Sequence, residues 1–367
     1  MTAAPLRLQL EAPRCVAAPG LRLRGVWRER QAVRIRLHDG QGRAGLGEAL
    51  PLPGYSRDDA AAVAAVLARL ANRLAATGLE VPPVAPGPAQ IGAALAPLAP
   101  DLADAPGARF ALECALLDLL SRRAGLGAAA WLAAGRALHA VPVSVLLPDA
   151  DDEAVAAAGA AAARGHTVVK LKIARADRSD AQEDALLAAV RAAAEAAAPG
   201  RVRLRLDANG ALVAASLPAR LVALARHGVE LVEEPVAGRA LLEMPPLPLP
   251  WAADESLADP GLCEALLRLP PPRRPAALVL KPAELGLLRC LSLADTAAAQ
   301  GLGLVVTHSL DGEIGLAAAR ALAAALPAAP WPCGLAPHPG LQRPQAPLPV
   351  LAPPSAPGLG VDDEALA

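Results

Sequence analysis

The chain has 367 residues, a formal net charge of −1 and a pI near 6.6, a balance that gives no electrostatic basis for binding nucleic acid. Hydrophobic residues make up 54% and charged residues 19%, enough apolar side chain for one large core or two ordinary ones and too much for wholesale disorder. No charge-free apolar run approaches the ~20 residues of a membrane span, and the first residues (Met-Thr-Ala-Ala-Pro-Leu-Arg) lack the layout of a signal peptide, so a cytoplasmic protein with no membrane partner is expected.

The N-terminal hundred residues read as a small α+β domain, with a boundary near 106. Residues 33–38 alternate apolar and polar, Asp39-Gly40 is a turn pair, and Gly45-Leu46-Gly47-Glu48 follows, so 21–48 reads as a β-meander. Residues 50–56 form a loop. An amphipathic helix is expected over 58–76, capped by Ser56 or Asp58. The Pro-rich segment 81–106 is loosely patterned.

From about 107 the pattern changes to strand-then-helix units. A helix at 108–124 precedes strands expected at 141–147, 167–173, 202–207, 230–234, 250–254, 277–281, 303–307 and 332–335. Helical stretches lie between most of them, at 151–164, 180–197, 217–227, 260–269, 286–299 and 312–326. Eight short strands alternating with helices predict an α/β fold, a (β/α)8 TIM-like barrel over 107–335. A doubly wound sheet competes, but no Gly-rich phosphate turn follows the first strand. The tail, 336–367, is Pro-rich, ends in Pro357-Gly-Leu-Gly-Val361 and is expected to return to the N-terminal cap. The cysteines, Cys15, Cys114, Cys263, Cys290 and Cys333, form no CxxC pair and read as buried small hydrophobes.

Only three of the 35 basic residues are lysines: Lys170, Lys172 and Lys281. Tyrosine and phenylalanine occur once each, as Tyr55 and Phe110. A very G+C-rich genome accounts for this vocabulary, and the rare residues become candidates for chemical necessity. Arginine is always charged, whereas a lysine amine can lose its proton and act as a base. In Val168-Val169-Lys170-Leu171-Lys172-Ile173 the strand alternation puts both amines on one face.

In barrels of this kind the chemistry sits at the C-terminal ends of the strands. Strand two ends with Lys170 and Lys172, strand three with Asp207, strand four with Glu233, strand five with Asp254 and strand six with Lys281. Three carboxylates on adjacent strand ends repel one another unless a cation joins them, and an all-oxygen set suits a hard ion such as Mg²⁺, with Mn²⁺ as the alternative. A metal on a substrate carboxylate stabilises the enediolate formed when the adjacent carbon loses a proton. Lys172 is then the base, with its pKa lowered by the Lys170 ammonium and the metal.

Lys170-x-Lys172, Asp207-Ala-Asn209, Glu233-Glu-Pro235, Asp254-Glu-Ser256 and Lys281-Pro282, in that order, resemble the enolase superfamily in its muconate-lactonizing branch. Within the branch the resemblance is to the o-succinylbenzoate synthase family. It rests on Gly47-Glu48 with Pro51-Leu-Pro-Gly-Tyr55, Arg203-Leu-Arg-Leu-Asp207, Leu280-Lys281-Pro282 and the ending Ala356-Pro-Gly-Leu-Gly-Val361. The resemblance implies Mg²⁺ on Asp207, Glu233 and Asp254. It also implies syn dehydration of 2-succinyl-6-hydroxy-2,4-cyclohexadiene-1-carboxylate in menaquinone biosynthesis. Lys172 would be base and then acid, with Lys281 on the opposite face through a cation–π contact. Racemisation of N-succinylamino acids, dipeptide epimerisation and cycloisomerisation share the mechanism. Dipeptide epimerases usually carry an acidic pair after strand eight, and 333–338 has none.

Tyr55, Ser309, Asn209 and Glu255 are the expected substrate contacts or supports. Each has a plainer reading: Tyr55 as loop packing, Asn209 as a turn former, Glu234 and Glu255 as supporting or loop residues. His308 and Asp311 depart from the family pattern. A His–Asp dyad would need an aspartate where Lys281 stands, so His308 reads as a polar or structural histidine. His38, His139, His166, His227 and His338 have no ligand-like spacing. The expected partner is a small carboxylate, on a monomer or homo-oligomer. A non-catalytic barrel acting as a binding scaffold would not need this charged set.

Overall fold

A computed structural model describes residues 5–22, 26–337 and 347–361. Four strands open the chain: β1 (Arg7–Leu10), β2 (Arg14–Arg22), β3 (Val26–His38) and β4 (Ala44–Ala49). β3 is long enough to serve all the others. Its first half pairs with β2 and its second half with β1 and β4, each antiparallel. Val33, Ile35 and Leu37 alternate into the core, as the pattern predicts. The opposite face keeps the polar Arg34, whose Nε lies 2.7 Å from the Glu48 carboxylate.

The helix Pro106–Arg123 lies directly on β4. A Cβ at Gly45 or Gly47 would collide with the carbonyl of Ala115 or Ala111, so the Gly-x-Gly spacing is what allows that approach. The helix expected over 58–76 runs Ala60–Leu74, and its cap is Asp59, whose Oδ1 accepts from Ala62 N at 2.8 Å. Neither expected cap is used there. Asp58 instead accepts from Gly107 N at 2.9 Å, and Ser56 bonds Glu284. The Pro-rich stretch contains more helix than its pattern suggests, with Pro88–Leu95 and Ala99–Leu102 joined by a 3₁₀ turn. Proline stands in the first turn of each, where its missing N–H costs nothing.

The next strands are β5 (Val141–Pro142), β6 (Val145–Leu146), β7 (Val168–Lys172), β8 (Arg203–Asp207), β9 (Val229–Glu233), β10 (Trp251–Ala253), β11 (Ala277–Leu280) and β12 (Gly303–Val306). β6 to β12 form one parallel sheet in chain order. Helices Asp151–Ala163, Asp180–Ala197, Leu217–Ala225, Pro260–Leu267 and Leu287–Ala299 lie between successive strands, a 3₁₀ helix at Gly238–Glu243 joins β9 to β10, and Glu313–Ala324 follows β12. This is an α/β, TIM-like fold with a capping domain, built on a curled parallel sheet.

The expected first strand, 141–147, is split in two at 143–144. The expected eighth, 332–335, makes only single-pair bridges, Cys333 to Val143 and Gly334 to Thr307, one at each edge of the sheet. Pro330 and Pro332 have no N–H to give a longer ladder. The last strand, β13 (Val350–Leu351), pairs antiparallel with β5. Gly358 N donates to Leu126 O and Leu359 N to Asp118 Oδ1. His338, with the rest of 338–346 and 362–367, lies outside the described residues.

The core has two parts. Helices and the outer sheet face share a large cluster with the cap, while Leu231, Ala252, Ala277, Val279 and Val305 form a separate small one. These five have the strand parity of Lys170, Arg205, Glu233 and Lys281, so they are the inward layer beneath the charged strand ends. The buried Arg205 shares that interior, donating to Pro332 O and to Glu230.

Candidate active site

Strand register levels the expected residues against each other. Lys172 pairs with Asp207, Asp207 with Glu233, and Glu233 with Ala252, two residues short of Asp254. The Lys170 ammonium lies 2.9 Å from Asp207 Oδ2 and also bonds Glu233. Burial works against its charge, but Asp207 and Glu233 outweigh burial and hold its pKa above the ordinary lysine value. Asp207 is pulled the other way: burial raises its pKa, yet the lysines, Lys170 foremost, keep it below the usual value.

Lys172 differs from its neighbour. Among the described residues its amine makes no hydrogen bond or ion pair. Its pKa is lowered, first by burial and further by the Lys170 and Lys281 ammoniums, with Asp207 opposing. The direction is the one expected of a base, but burial rather than the neighbouring charge is the largest cause.

Lys281 has all three donors engaged. It bonds Asp254 at 2.8 Å, Glu255 Oε1 at 3.3 Å and Tyr55 Oη at 2.5 Å. Against burial, Asp254, Tyr55 and Glu255 hold its pKa well above the ordinary value. Its Nζ is 4.9 Å from the Tyr55 ring centroid. An ammonium bonded to the phenol oxygen sits beyond the ring edge, so the contact is with the hydroxyl, not the π face. Tyr55 in turn donates to Glu255 Oε1, which also accepts from Asn209 Nδ2 at 3.1 Å.

Glu234 holds the end of β10. Its carboxylate accepts from Asp254 N at 2.8 Å, Ser256 N at 3.1 Å and Ser256 Oγ at 3.1 Å, and burial pushes its pKa up to about 7. Asn209 (φ 43°), Glu234 (φ 39°) and Leu310 (φ 59°) all adopt left-handed backbone just beyond the strands, the kind of local strain that persists only where surroundings enforce it.

His308 Nε2 lies 2.9 Å from Ala336 O. Ser309 is not among the residues that line the cavity beside Lys170. It lines a small separate void with Ser56, Glu284 and Asp311 beneath the capping loop, and its buried Oγ has no hydrogen-bond partner among the described residues. A cavity of about 250 Å³ opens beside Lys170 and Glu233 and runs toward Leu146, Pro148, Leu310 and Ala336, on the side of the first and last strands. Sequence reasoning missed Arg30, Arg205 and Glu284, which read as ordinary surface charges in an Arg-rich chain; only the inward parity of Arg205 with Asp207 could have marked it.

The carboxylates do not converge on one point. Asp207 and Glu233 share Lys170 while Asp254 turns to Lys281, and no three His, Cys, Asp or Glu side chains among the described residues are grouped as metal ligands. The donor chemistry nevertheless fits a hard cation. All donors are carboxylate oxygens, and an ammonium already occupies each group of them: Lys170 lies between Asp207 and Glu233, and Lys281 is 2.8 Å from the buried Asp254 Oδ1.

Residues 152–364 match the family model for the enolase C-terminal domain-like fold, and the chain belongs to the enolase superfamily, a family of enzymes. It is 34% identical over 224 residues to the o-succinylbenzoate synthase of Desulfotalea psychrophila, covering 58% of this chain and 57% of that one. It is 38% identical over 199 residues to the synthase of Thermobifida fusca, covering 53% and 59%, so the match spans less than two thirds of either relative. The L-Ala-D/L-Glu epimerase of Escherichia coli is 28% identical over 310 residues, with 84% of each chain covered. Among solved structures, the muconate lactonizing enzyme of Pseudomonas fluorescens complexed with muconolactone superposes with a TM-score of 0.80 at 25% identity, covering 99% of this chain and 98% of that one. The dipeptide epimerase of Methylococcus capsulatus, complexed with Mg and a dipeptide, superposes with a TM-score of 0.78 at 26% identity, covering 98% and 99%.

Proposed function

We propose that the chain dehydrates 2-succinyl-6-hydroxy-2,4-cyclohexadiene-1-carboxylate to o-succinylbenzoate, a step of menaquinone biosynthesis. The observation that carries the chemistry is the contrast among the lysines: Lys170 and Lys281 are bonded to carboxylates, while the Lys172 amine has no hydrogen bond or ion pair among the described residues and a lowered pKa. The choice of substrate rests on the two synthases at 34% and 38% identity.

Lys172 takes the proton from the carbon next to the ring carboxylate. The resulting ammonium gives a proton to the hydroxyl leaving from the same face, so water is lost syn and the base is regenerated. Lys281, fixed by Asp254, Glu255 and Tyr55, presents positive charge from the other side. Asp207, Glu233 and Asp254 would hold Mg²⁺, which supplies charge to offset that developing on the substrate carboxylate. We further read the chain as a cap at 1–106, an eight-membered (β/α)8 barrel at 107–335 completed by Cys333-Gly334, and a tail at 336–367.

A second reading, racemisation or epimerisation of an N-acylated amino acid, draws on the same pair of lysines and on the Escherichia coli epimerase. Against a dipeptide substrate, residues 333–337 present no carboxylate for an amine. The test is a Mg²⁺-dependent dehydration assay run beside N-succinyl amino acids and dipeptides. Formation of o-succinylbenzoate is expected, and turnover of the racemisation panel alone would overturn the assignment.

A further inference from the structure

Arg30, on β3, is 2% exposed although it is an arginine in a strand of the cap. Its guanidinium reaches three carbonyls on two segments far apart in the chain. Nη2 donates to Leu50 O and Nε, at 3.4 Å, to Pro51 O, both at the start of the capping loop. Nη1 donates to Leu310 O at 2.5 Å, in the loop after β12. Leu310 is the residue held at φ 59°, a conformation costly for a branched side chain, and its carbonyl is the one Arg30 takes. Asp311, Glu48 and Glu284 surround the charge.

The capping loop transmits that anchorage. Leu52 O accepts from Tyr55 N at 3.0 Å and Ser56 N at 2.9 Å, and Leu52 N donates to Ser56 Oγ at 3.0 Å, so 52–56 is one tight turn hung from Leu50 and Pro51. Ser56 Oγ donates to Glu284 at 2.8 Å, and Tyr55 reaches Lys281 and Glu255. We propose that Arg30 is a positioning residue that registers the capping loop against the loop after β12 and so places Tyr55 on Lys281. A guanidinium can serve diverging acceptors with fixed N–H groups; an ammonium on a flexible stem cannot hold the same geometry.

The position of Tyr55 can be read without any substrate, because it is the only tyrosine in the chain. The full-length protein, Arg30→Lys and Arg30→Met would be treated with tetranitromethane and the Tyr55 peptide followed by mass spectrometry, with folding checked by circular dichroism. Both variants are expected to nitrate at least about tenfold faster than the parent, the scale of one lost hydrogen bond. In turnover, a measurement that rests on the proposed dehydration, KM should rise about tenfold with kcat changed far less, and the KM effect of Arg30→Lys should shrink in a Tyr55→Phe background. Parent-like nitration in both variants would overturn the proposal, as would failure of both to fold, which would assign Arg30 to the fold rather than the site. An inactive parent would overturn the dehydration and leave the nitration result standing.

Discussion

Burial and the Lys170 ammonium act on Lys172 in one direction and Asp207 in the other, and the outcome is an amine that loses its proton below the usual value of 10.5. A base must be neutral to act, so kcat/KM should rise with pH through that lowered pKa and then level. Lys170→Met removes a like charge and frees Asp207 to attract the Lys172 proton, both of which raise the Lys172 pKa; the acidic limb of the pH–rate profile should move to higher pH. Lys172→Arg cannot deprotonate and should lower kcat by at least about a hundredfold, with an unchanged circular dichroism spectrum. The rarity of lysine and the strand parity made these residues legible. The pairing that separates Lys170 from Lys172 was not, because it depends on which carboxylates each amine reaches across neighbouring strands.

The helices are where the sequence said least about purpose. Pro106–Arg123 is almost wholly buried and carries two carboxylates among its apolar residues, Glu113 and Asp118. Glu113 Oε2 accepts from Leu287 N at 2.5 Å and so caps, from another element, a helix whose own N-cap is Gly286. Burial raises the Glu113 pKa from 4.5 to about 7. A raised acid binds its proton more tightly in the folded state, so its contribution is most favourable below 4.5 and declines as pH climbs to about 7. Glu113→Gln keeps an acceptor for Leu287 and has nothing to ionise. Its stability relative to the parent, from denaturant melts at several pH values, should therefore improve across that interval. A charged residue inside an apolar helix was a visible signal; its partner, 174 residues away, was not.

Across the whole molecule, the alternating strands and intervening helices were legible because period and spacing are local properties. The closing of the sheet was less so, since the prolines around Cys333 leave only single bridges to its edges. Small inward residues, Ala252 and Ala277, leave room for Arg205 inside the sheet, a compensation that no single strand displays. Strand β4, the helix Pro106–Arg123 and the segment at Leu359 meet at Asp118. Its Oδ2 accepts from Leu46 N at 3.0 Å, and its Oδ1 from Leu359 N at 2.8 Å and Arg122 Nε at 2.9 Å. Asp118→Ala strips two buried amides of their acceptor and should cost about 3 kcal/mol of unfolding free energy, measured by urea denaturation.

That carboxylate also sets an order of events during synthesis. Leu46 and the helix bearing Asp118 leave the ribosome well before Leu359, which lies 241 residues beyond Asp118. At ribosomal speeds of about 5–20 residues per second the interval is on the order of tens of seconds. Throughout it the helix and β4 can associate while one oxygen of Asp118 still lacks the Leu359 amide, so a contact begun with Leu46 is completed only when a residue 241 positions beyond Asp118 arrives.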